Sequence, residues 1–101
     1  MLKNPQNILY LSLASIWEMQ IKIQNKKFSF PSPLSDIIKG QQIINNLQIL
    51  SITAEQIYEL DNLPFHHRNP FDRLLIAQAV KENFTLVTDD AHFSAYQVNL
   101  L

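Results

Sequence analysis

Residues 66–79 read His66-His67-Arg68-Asn69-Pro70-Phe71-Asp72-Arg73-Leu74-Leu75-Ile76-Ala77-Gln78-Ala79, and they predict a buried helix with a carboxylate in its first turn. Asn69 is a favourable N-cap, and Pro70 suits the first helical position, where a backbone N–H would be unsatisfied anyway. Apolar residues on almost every side of the following turns are typical of a buried helix. Asp72 either complements the helix dipole, worth up to about 1 kcal/mol, or contributes to a metal or phosphate site.

Length and composition predict a single domain over residues 1–101. The chain has 101 residues, of which 47% are apolar, so it can bury a core but is too short for two domains. Residues 1–7 carry no charged-then-apolar signal pattern. Every apolar run is far shorter than the ~20 residues that a membrane helix needs. We therefore expect a soluble cytoplasmic protein with no membrane segment.

Residue counts exclude several classes of site. The chain has no cysteine, which excludes disulfides and thiolate metal sites. Its single glycine, Gly40, is too few for a phosphate-binding loop, which needs several glycines at fixed spacing. The net charge of −1 means that any RNA contact has to come from a local basic patch. The candidates for that patch are Lys22, Lys26, Lys27, His66, His67, Arg68 and Arg73.

Helical and extended patterns alternate along the chain, which predicts an α/β fold. Helices are predicted from Leu13, capped by Ser12, to about Asn25, from Ser35 to about Ile44, from the capping box Thr53-Ala54-Glu55-Gln56 to about Leu60, from Pro70 to about Glu82, and from about Asp90 to Tyr96. Strands are predicted at 8–11, 47–52, 84–88 and 98–101. Apolar strands separated by helices are typical of a parallel sheet covered on both faces. The predicted architecture is a three-layer α/β/α domain with a short parallel sheet.

Three acidic positions fall at or near the carboxyl ends of these strands, where sites form in open parallel sheets. Asp89-Asp90 follows the strand ending at Thr88, Asp72 lies in the first turn of the preceding helix, and Glu18 lies about two turns into the first helix. Carboxylates that converge there repel one another unless a cation neutralises them. An all-oxygen cluster selects a hard ion, Mg²⁺ or Mn²⁺, which can hold a phosphodiester and activate water.

The acids also have simpler interpretations. Glu18 precedes Lys22 by four residues, a helical ion pair worth about 0.3–0.5 kcal/mol, and Asp89-Asp90 can cap the last helix. A phosphoacceptor domain built on Asp89-Asp90 is a further alternative, although the chain extends too little beyond Asp90 for that layout. The helical spacing of a two-histidine zinc site is absent, so loop or surface positions are expected for His66, His67 and His92.

The order of three segments resembles the PIN-domain family, and most closely its VapC-like toxins from bacterial toxin–antitoxin pairs. The segments are Ser15-Ile16-Trp17-Glu18, residues 66–79 with Pro70-Phe71-Asp72-Arg73 inside them, and Leu86-Val87-Thr88-Asp89-Asp90. Members of that family are ribonucleases with an acidic quartet around Mg²⁺ or Mn²⁺. The resemblance implies that Glu18, Asp72 and Asp90 are metal ligands and catalytic groups, with Thr88 as a nearby hydroxyl. It also implies an RNA substrate, a cognate antitoxin in the groove and a homodimer formed through the helical face.

The N-terminal end departs from the family. The family's first acid ends an N-terminal strand in the middle of the sheet, whereas Met1 to Asn7 contains no aspartate and is predicted to form no strand. The chain therefore resembles an N-terminally truncated PIN domain, with unpaired backbone groups and an apolar slot in place of that strand. Asn69 also stands where many relatives carry an acid.

A missing ligand lowers the expected activity. Loss of a group that only orients a metal ligand already weakens metal binding by ~10–100-fold. Loss of a ligand itself therefore predicts weak or absent nuclease activity. The alternative is a catalytically inactive interaction module that retains the antitoxin-binding surface.

Overall fold

The computed structural model describes residues 1–64 and 69–87 and the backbone of residues 99–100. Its helices are α1 (Leu13–Gln24), α2 (Leu34–Asn45), α3 (Ala54–Tyr58), which continues into a 3₁₀ turn at Glu59–Asn62, and α4 (Pro70–Glu82). Its strands are β1 (Leu2–Lys3), β2 (Leu9–Ser12), β3 (Gln48–Leu50), β4 (Thr85–Leu86) and β5 (Asn99–Leu100). The helix predicted from Asp90 to Tyr96 lies outside the described residues.

Local capping interactions start three of the helices where the sequence predicts them. The Ser12 hydroxyl accepts a hydrogen bond from Ala14 N at 3.1 Å and starts α1. Thr53 and Gln56 form both halves of the predicted capping box at α3. Asn69 Oδ1 accepts from Phe71 N at 2.9 Å, and Pro70 occupies the first turn of α4. These caps are confirmed as predicted.

The sheet has five strands in the order β3-β2-β1-β4-β5. The pairs β2–β3 and β4–β5 are parallel, whereas β1 is antiparallel to both of its neighbours, β2 and β4. The four strands predicted from the sequence share one direction, as a parallel sheet requires, and the unpredicted β1 is the departure from that arrangement. Because β1 opposes both neighbours, the other four strands all run in one direction and their carboxyl ends meet at one edge.

The prediction that Met1 to Asn7 forms no strand is wrong. Leu2 pairs with Tyr10 on one side and with Leu86 on the other, and its side chain is fully buried. The link to β2 is a tight turn in which Asn4 Oδ1 accepts from Ile8 N at 2.8 Å and Asn7 adopts a positive φ of 66°. The central position that was expected to be an open slot is filled by this short hairpin.

Helices cover both faces of the sheet, which confirms the predicted three-layer α/β/α arrangement. One core cluster joins the sheet to α4; its buried members are Leu2, Leu75, Ile76, Ala79 and Leu86. The other joins the sheet to α2, and its buried members are Leu11, Leu34, Ile38 and Leu47. Tyr10 packs on the first cluster and its neighbours in β2 on the second, as the alternation of side chains along a strand requires.

Two polar side chains lie buried on α4 among its apolar residues. Gln78 is fully buried and donates from Nε2 to Gln56 Oε1 at 3.0 Å and to Ser51 O at 3.3 Å. Arg73 is 9% exposed and donates to the backbone carbonyl oxygens of Pro64 at 3.0 Å and Leu60 at 3.4 Å. These bonds tie Arg73 to the segment that ends at Pro64. The prediction that Arg73 belongs to an RNA-facing patch is therefore wrong.

Candidate active site

The candidate site lies where α1, which follows the carboxyl end of β2, meets the first turn of α4. The chain leaves β2 at Ser12, and Glu18 follows about two turns into α1. Asp72 lies in the first turn of α4 and is half-buried. α1 and α4 pack against each other.

Asn69 connects the two acid-bearing helices. Its Nδ2 donates to Glu18 Oε2 at 2.9 Å, while its Oδ1 accepts from Phe71 N at 2.9 Å. One side chain therefore caps α4 and also holds the Glu18 carboxylate beside the turn that carries Asp72. We had predicted only the capping role. The amide group was the available signal, because asparagine, unlike an ionised aspartate, can donate and accept at once.

Lys22 gives Glu18 a second partner. Lys22 Nζ lies 3.8 Å from Glu18 Oε2, with side-chain exposures of 39% for Lys22 and 20% for Glu18. The helical ion pair offered as a simple interpretation of Glu18 is therefore present together with the bond to Asn69. An exposed pair of this kind adds little stability. The pair matters for metal binding, since the Lys22 ammonium competes with any metal ion for the Glu18 carboxylate.

Asp90 lies outside the described residues, as do Thr88, Asp89, Arg68 and the three histidines His66, His67 and His92. The convergence of Asp90 with Glu18 and Asp72 therefore stays a prediction. Within residues 1–64 and 69–87, no three His, Asp or Glu side chains are grouped closely enough to share a metal ion.

The central strand directs its amino end, not its carboxyl end, towards this edge. The Met1 ammonium donates to Val87 O at 3.4 Å, and Val87 N donates to Met1 O at 2.8 Å. Partial burial lowers the pKa of this ammonium group. Leu2–Lys3 contains no acid, so β1 adds no carboxylate at the edge where the family resemblance implies a first one.

Aromatic side chains border the two acids. Trp17, which precedes Glu18, packs edge to face against Phe71, which precedes Asp72, with ring centroids 5.0 Å apart at 90°. Trp17 is nevertheless 60% exposed. Lys22 Nζ lies 5.1 Å from the centroid of the Phe28 ring. Trp17 and Phe71 have no predicted role in the site, although both lie inside the segments that carry the family resemblance.

The Asn69 contact predicts that Asn69→Asp destabilises the metal-free protein at neutral pH. The substitution keeps the cap but replaces the donor facing Glu18 with a second carboxylate oxygen. The lost charge-assisted hydrogen bond corresponds to about 1.5–3 kcal/mol of the free energy of unfolding. Urea unfolding in EDTA at pH 7 measures the loss.

The pH dependence of that loss identifies its cause. Repulsion between the two carboxylates raises the pKa of one of them in the folded state, so the deficit is full above that raised pKa and shrinks as the pH falls through it. Asn69→Ser is the control, because it caps α4 without adding charge. Equal stability of Asn69→Asp and wild type at pH 7 would contradict the assigned contact.

Comparison with known proteins places the chain in a family. The family profile described as the PIN domain matches residues 2–99, nearly the whole chain. No curated protein sequence and no solved structure gave a significant match. No helix among the described residues combines the length and apolar character needed to cross a bilayer.

Proposed function

The chain belongs to the PIN domain family, a nuclease fold, and on that premise we propose that it is a divalent-metal-dependent ribonuclease of the VapC type. We propose Glu18, Asp72 and Asp90 as its metal ligands and catalytic groups, and Mg²⁺ or Mn²⁺ as its ion. The proposed activity is weak, since β1 supplies no fourth carboxylate at the edge of the sheet.

One observation carries this proposal: the hydrogen bond from Asn69 Nδ2 to Glu18 Oε2. Glu18 and Asn69 are 51 positions apart in the chain, so the contact exists only because the fold brings α1 to the start of α4. A purely solvated surface glutamate needs no such partner. The bond supports a site in which the first turn of α4 and its Asp72 lie beside a second, held carboxylate.

The donor set fits a hard cation. Both acids offer carboxylate oxygens, which Mg²⁺ and Mn²⁺ prefer, and residues 1–64 and 69–87 contain no histidine or cysteine that would favour a softer ion. A bound ion would neutralise the clustered charge and supply Lewis acidity at a phosphodiester. In the protein itself, Asn69 orients Glu18, and half-burial of Asp72 limits its hydration. If a metal ion takes over the Glu18 carboxylate, the Lys22 ammonium is released from that pair and can bind a phosphate oxygen of the RNA.

The proposed setting is cytoplasmic, with a cognate antitoxin in the groove and a homodimer formed through the helical face. Exposed apolar side chains on α2 support a protein contact there, since Ile43 is 84% and Ile44 77% exposed. A net charge of −1 is compatible with binding RNA through a local patch, not through the field of the whole molecule.

Titration with Mn²⁺ tests the proposal directly. We expect one saturable Mn²⁺ site by calorimetry, with slow cleavage of a 5′-labelled single-stranded RNA that requires Mn²⁺ and stops in EDTA. Glu18→Gln removes one ligand charge and is expected to weaken Mn²⁺ binding at least ~10-fold. Robust cleavage would overturn the proposed weakness, and Mn²⁺ binding unaffected by Glu18→Gln would remove Glu18 from the site.

A catalytically inactive antitoxin-binding module is the second candidate, and the direction of β1 favours it. Because β1 is antiparallel to both neighbours, it brings its amino end to this edge of the sheet, and Leu2–Lys3 offers no carboxylate there to bind a cation. Background RNA cleavage at saturating Mn²⁺, together with retained binding of the cognate antitoxin, would select this candidate over the nuclease.

A further inference from the structure

We propose that the indole of Trp17 is a stacking platform for an unpaired base of the bound RNA. This inference rests on the proposed function, because it assigns a substrate contact beside the proposed site. Trp17 is 60% exposed, although large apolar side chains in a folded domain are usually buried. An exposed indole held at the start of α4 by Phe71 offers a flat apolar face, and a nucleobase has the shape to stack on it.

The position of Trp17 is fixed by its neighbours in the chain and in space. Trp17 directly precedes Glu18, and Phe71, its edge-to-face partner, directly precedes Asp72. The two rings therefore bridge α1 and α4 at the same place as the Asn69–Glu18 hydrogen bond. A ring supported by a second aromatic loses little further freedom on binding, and its exposed part remains open to a base.

Cationic side chains that can bind phosphates follow Trp17 along the chain. Lys22 lies one turn beyond Glu18 on α1, and the exposed Lys26 and Lys27 follow the end of that helix. Aromatic rings alternating with cationic side chains are typical of grooves that bind single strands without strict sequence preference. A duplex keeps its bases stacked on one another, so it cannot offer a base face to Trp17 without unpairing.

The experiment uses the fluorescence of Trp17, which is the chain's single tryptophan. The protein in EDTA is titrated with a single-stranded oligoadenylate and with an abasic ribose-phosphate strand of the same length. We expect the oligoadenylate to quench the emission and the abasic strand to leave it nearly unchanged. Equal quenching by both strands would show phosphate binding without stacking and would overturn the proposal.

Substitution gives the second readout. Base stacking on one aromatic ring corresponds to about 5- to 150-fold in affinity, so Trp17→Leu should weaken binding of a labelled oligoadenylate in that range. Trp17→Phe should recover part of the affinity. Tyr58→Leu at the end of α3 is the matched control for an exposed aromatic residue, since Tyr58 is 70% exposed, and it should bind as wild type, with circular dichroism confirming that each variant folds.

The stacking proposal and the nuclease proposal are tested separately, because base binding is measured without a metal ion and cleavage with Mn²⁺. Base-dependent quenching without any Mn²⁺-dependent cleavage supports Trp17 as the platform and removes the nuclease proposal. Wild-type affinity in Trp17→Leu overturns the platform and leaves cleavage to be judged by its own assay. If a protein partner shields Trp17 from solvent and neither strand changes its fluorescence, the stacking proposal is also overturned. The ring then belongs to a protein contact.

Discussion

Leu2→Ala should lower the free energy of unfolding by about 2–5 kcal/mol, the range for truncating a large side chain in a packed core. Leu2 is fully buried, pairs with both β2 and β4, and belongs to the core cluster that includes Leu75 and Ile76 of α4. Truncation therefore leaves a cavity where the sheet meets its main covering helix. Urea unfolding followed by circular dichroism measures the loss as a lower midpoint.

The matched control for Leu2→Ala is Ile44→Ala. Ile44 is 77% exposed near the end of α2, so its truncation should change stability by no more than about 0.5 kcal/mol. Equal effects of the two substitutions would mean that residues 2–3 are not a core strand. The assignment of β1 to the centre of the sheet would then be wrong.

Asp72→Asn is expected to weaken Mn²⁺ binding by at least ~10–100-fold and to reduce any Mn²⁺-dependent RNA cleavage to background. Asparagine is nearly the same size as aspartate but has no charge, so the variant separates charge from packing. Loss of the favourable interaction with the dipole of α4 costs up to about 1 kcal/mol, and circular dichroism checks that the variant folds. Calorimetric Mn²⁺ titration and a labelled-RNA assay provide the two measurements.

Asp36→Asn is the control for that variant. Asp36 occupies the first turn of α2 as Asp72 occupies the first turn of α4, but Asp36 is exposed and far along the chain from the acid-bearing segments. The control removes the same charge from the same helical position, and Mn²⁺ affinity should be unchanged. If Asp36→Asn weakens Mn²⁺ binding as much as Asp72→Asn does, the effect is one of net charge and Asp72 is not a ligand.

Local signals predicted the helices well. Ser12, Thr53 and Asn69 start their helices through hydrogen bonds to backbone N–H groups two or three positions away, so the nearby sequence contains the whole interaction. The fold class followed from the alternation of these helices with apolar strands. The family resemblance, seen in the segments around Trp17-Glu18 and Phe71-Asp72, agrees with the PIN domain match over residues 2–99.

The central strand was missed because its interactions are distant in sequence. Two residues are too short for a periodic pattern, and Leu2 owes its strand conformation to Tyr10 and to the remote Leu86. The turn Asn4-Pro5-Gln6-Asn7 was the one local sign of a hairpin. Burial of Arg73 and Gln78 was missed for a similar reason, since their partners are backbone and side-chain groups from other segments.

The candidate site was predicted in part. Glu18 and Asp72 were named from their positions relative to strand ends, and the bond from Asn69 links the helices that carry them. The sequence could not predict the direction of β1, because Leu2–Lys3 pairs equally well in either direction. It therefore could not predict which end of β1 lies at the edge of the sheet that holds the site. The aromatic pair was overlooked because an apolar residue on a helix is ordinarily assigned to a core.

The pairing of β1 with β4 has a consequence for how the chain acquires its structure during translation. Met1 and Val87 are hydrogen-bonded although they are 86 positions apart, so the middle of the sheet joins segments made near the beginning and near the end of the described chain. A nascent chain still tethered to the ribosome can form the β1–β2 hairpin and α1, but it cannot seal the sheet until β4 has left the exit tunnel. Long-range closure of this kind slows folding. The β1 segment is therefore made well before β4, its partner in the sheet, and stays partly exposed to proteases and chaperones until β4 emerges.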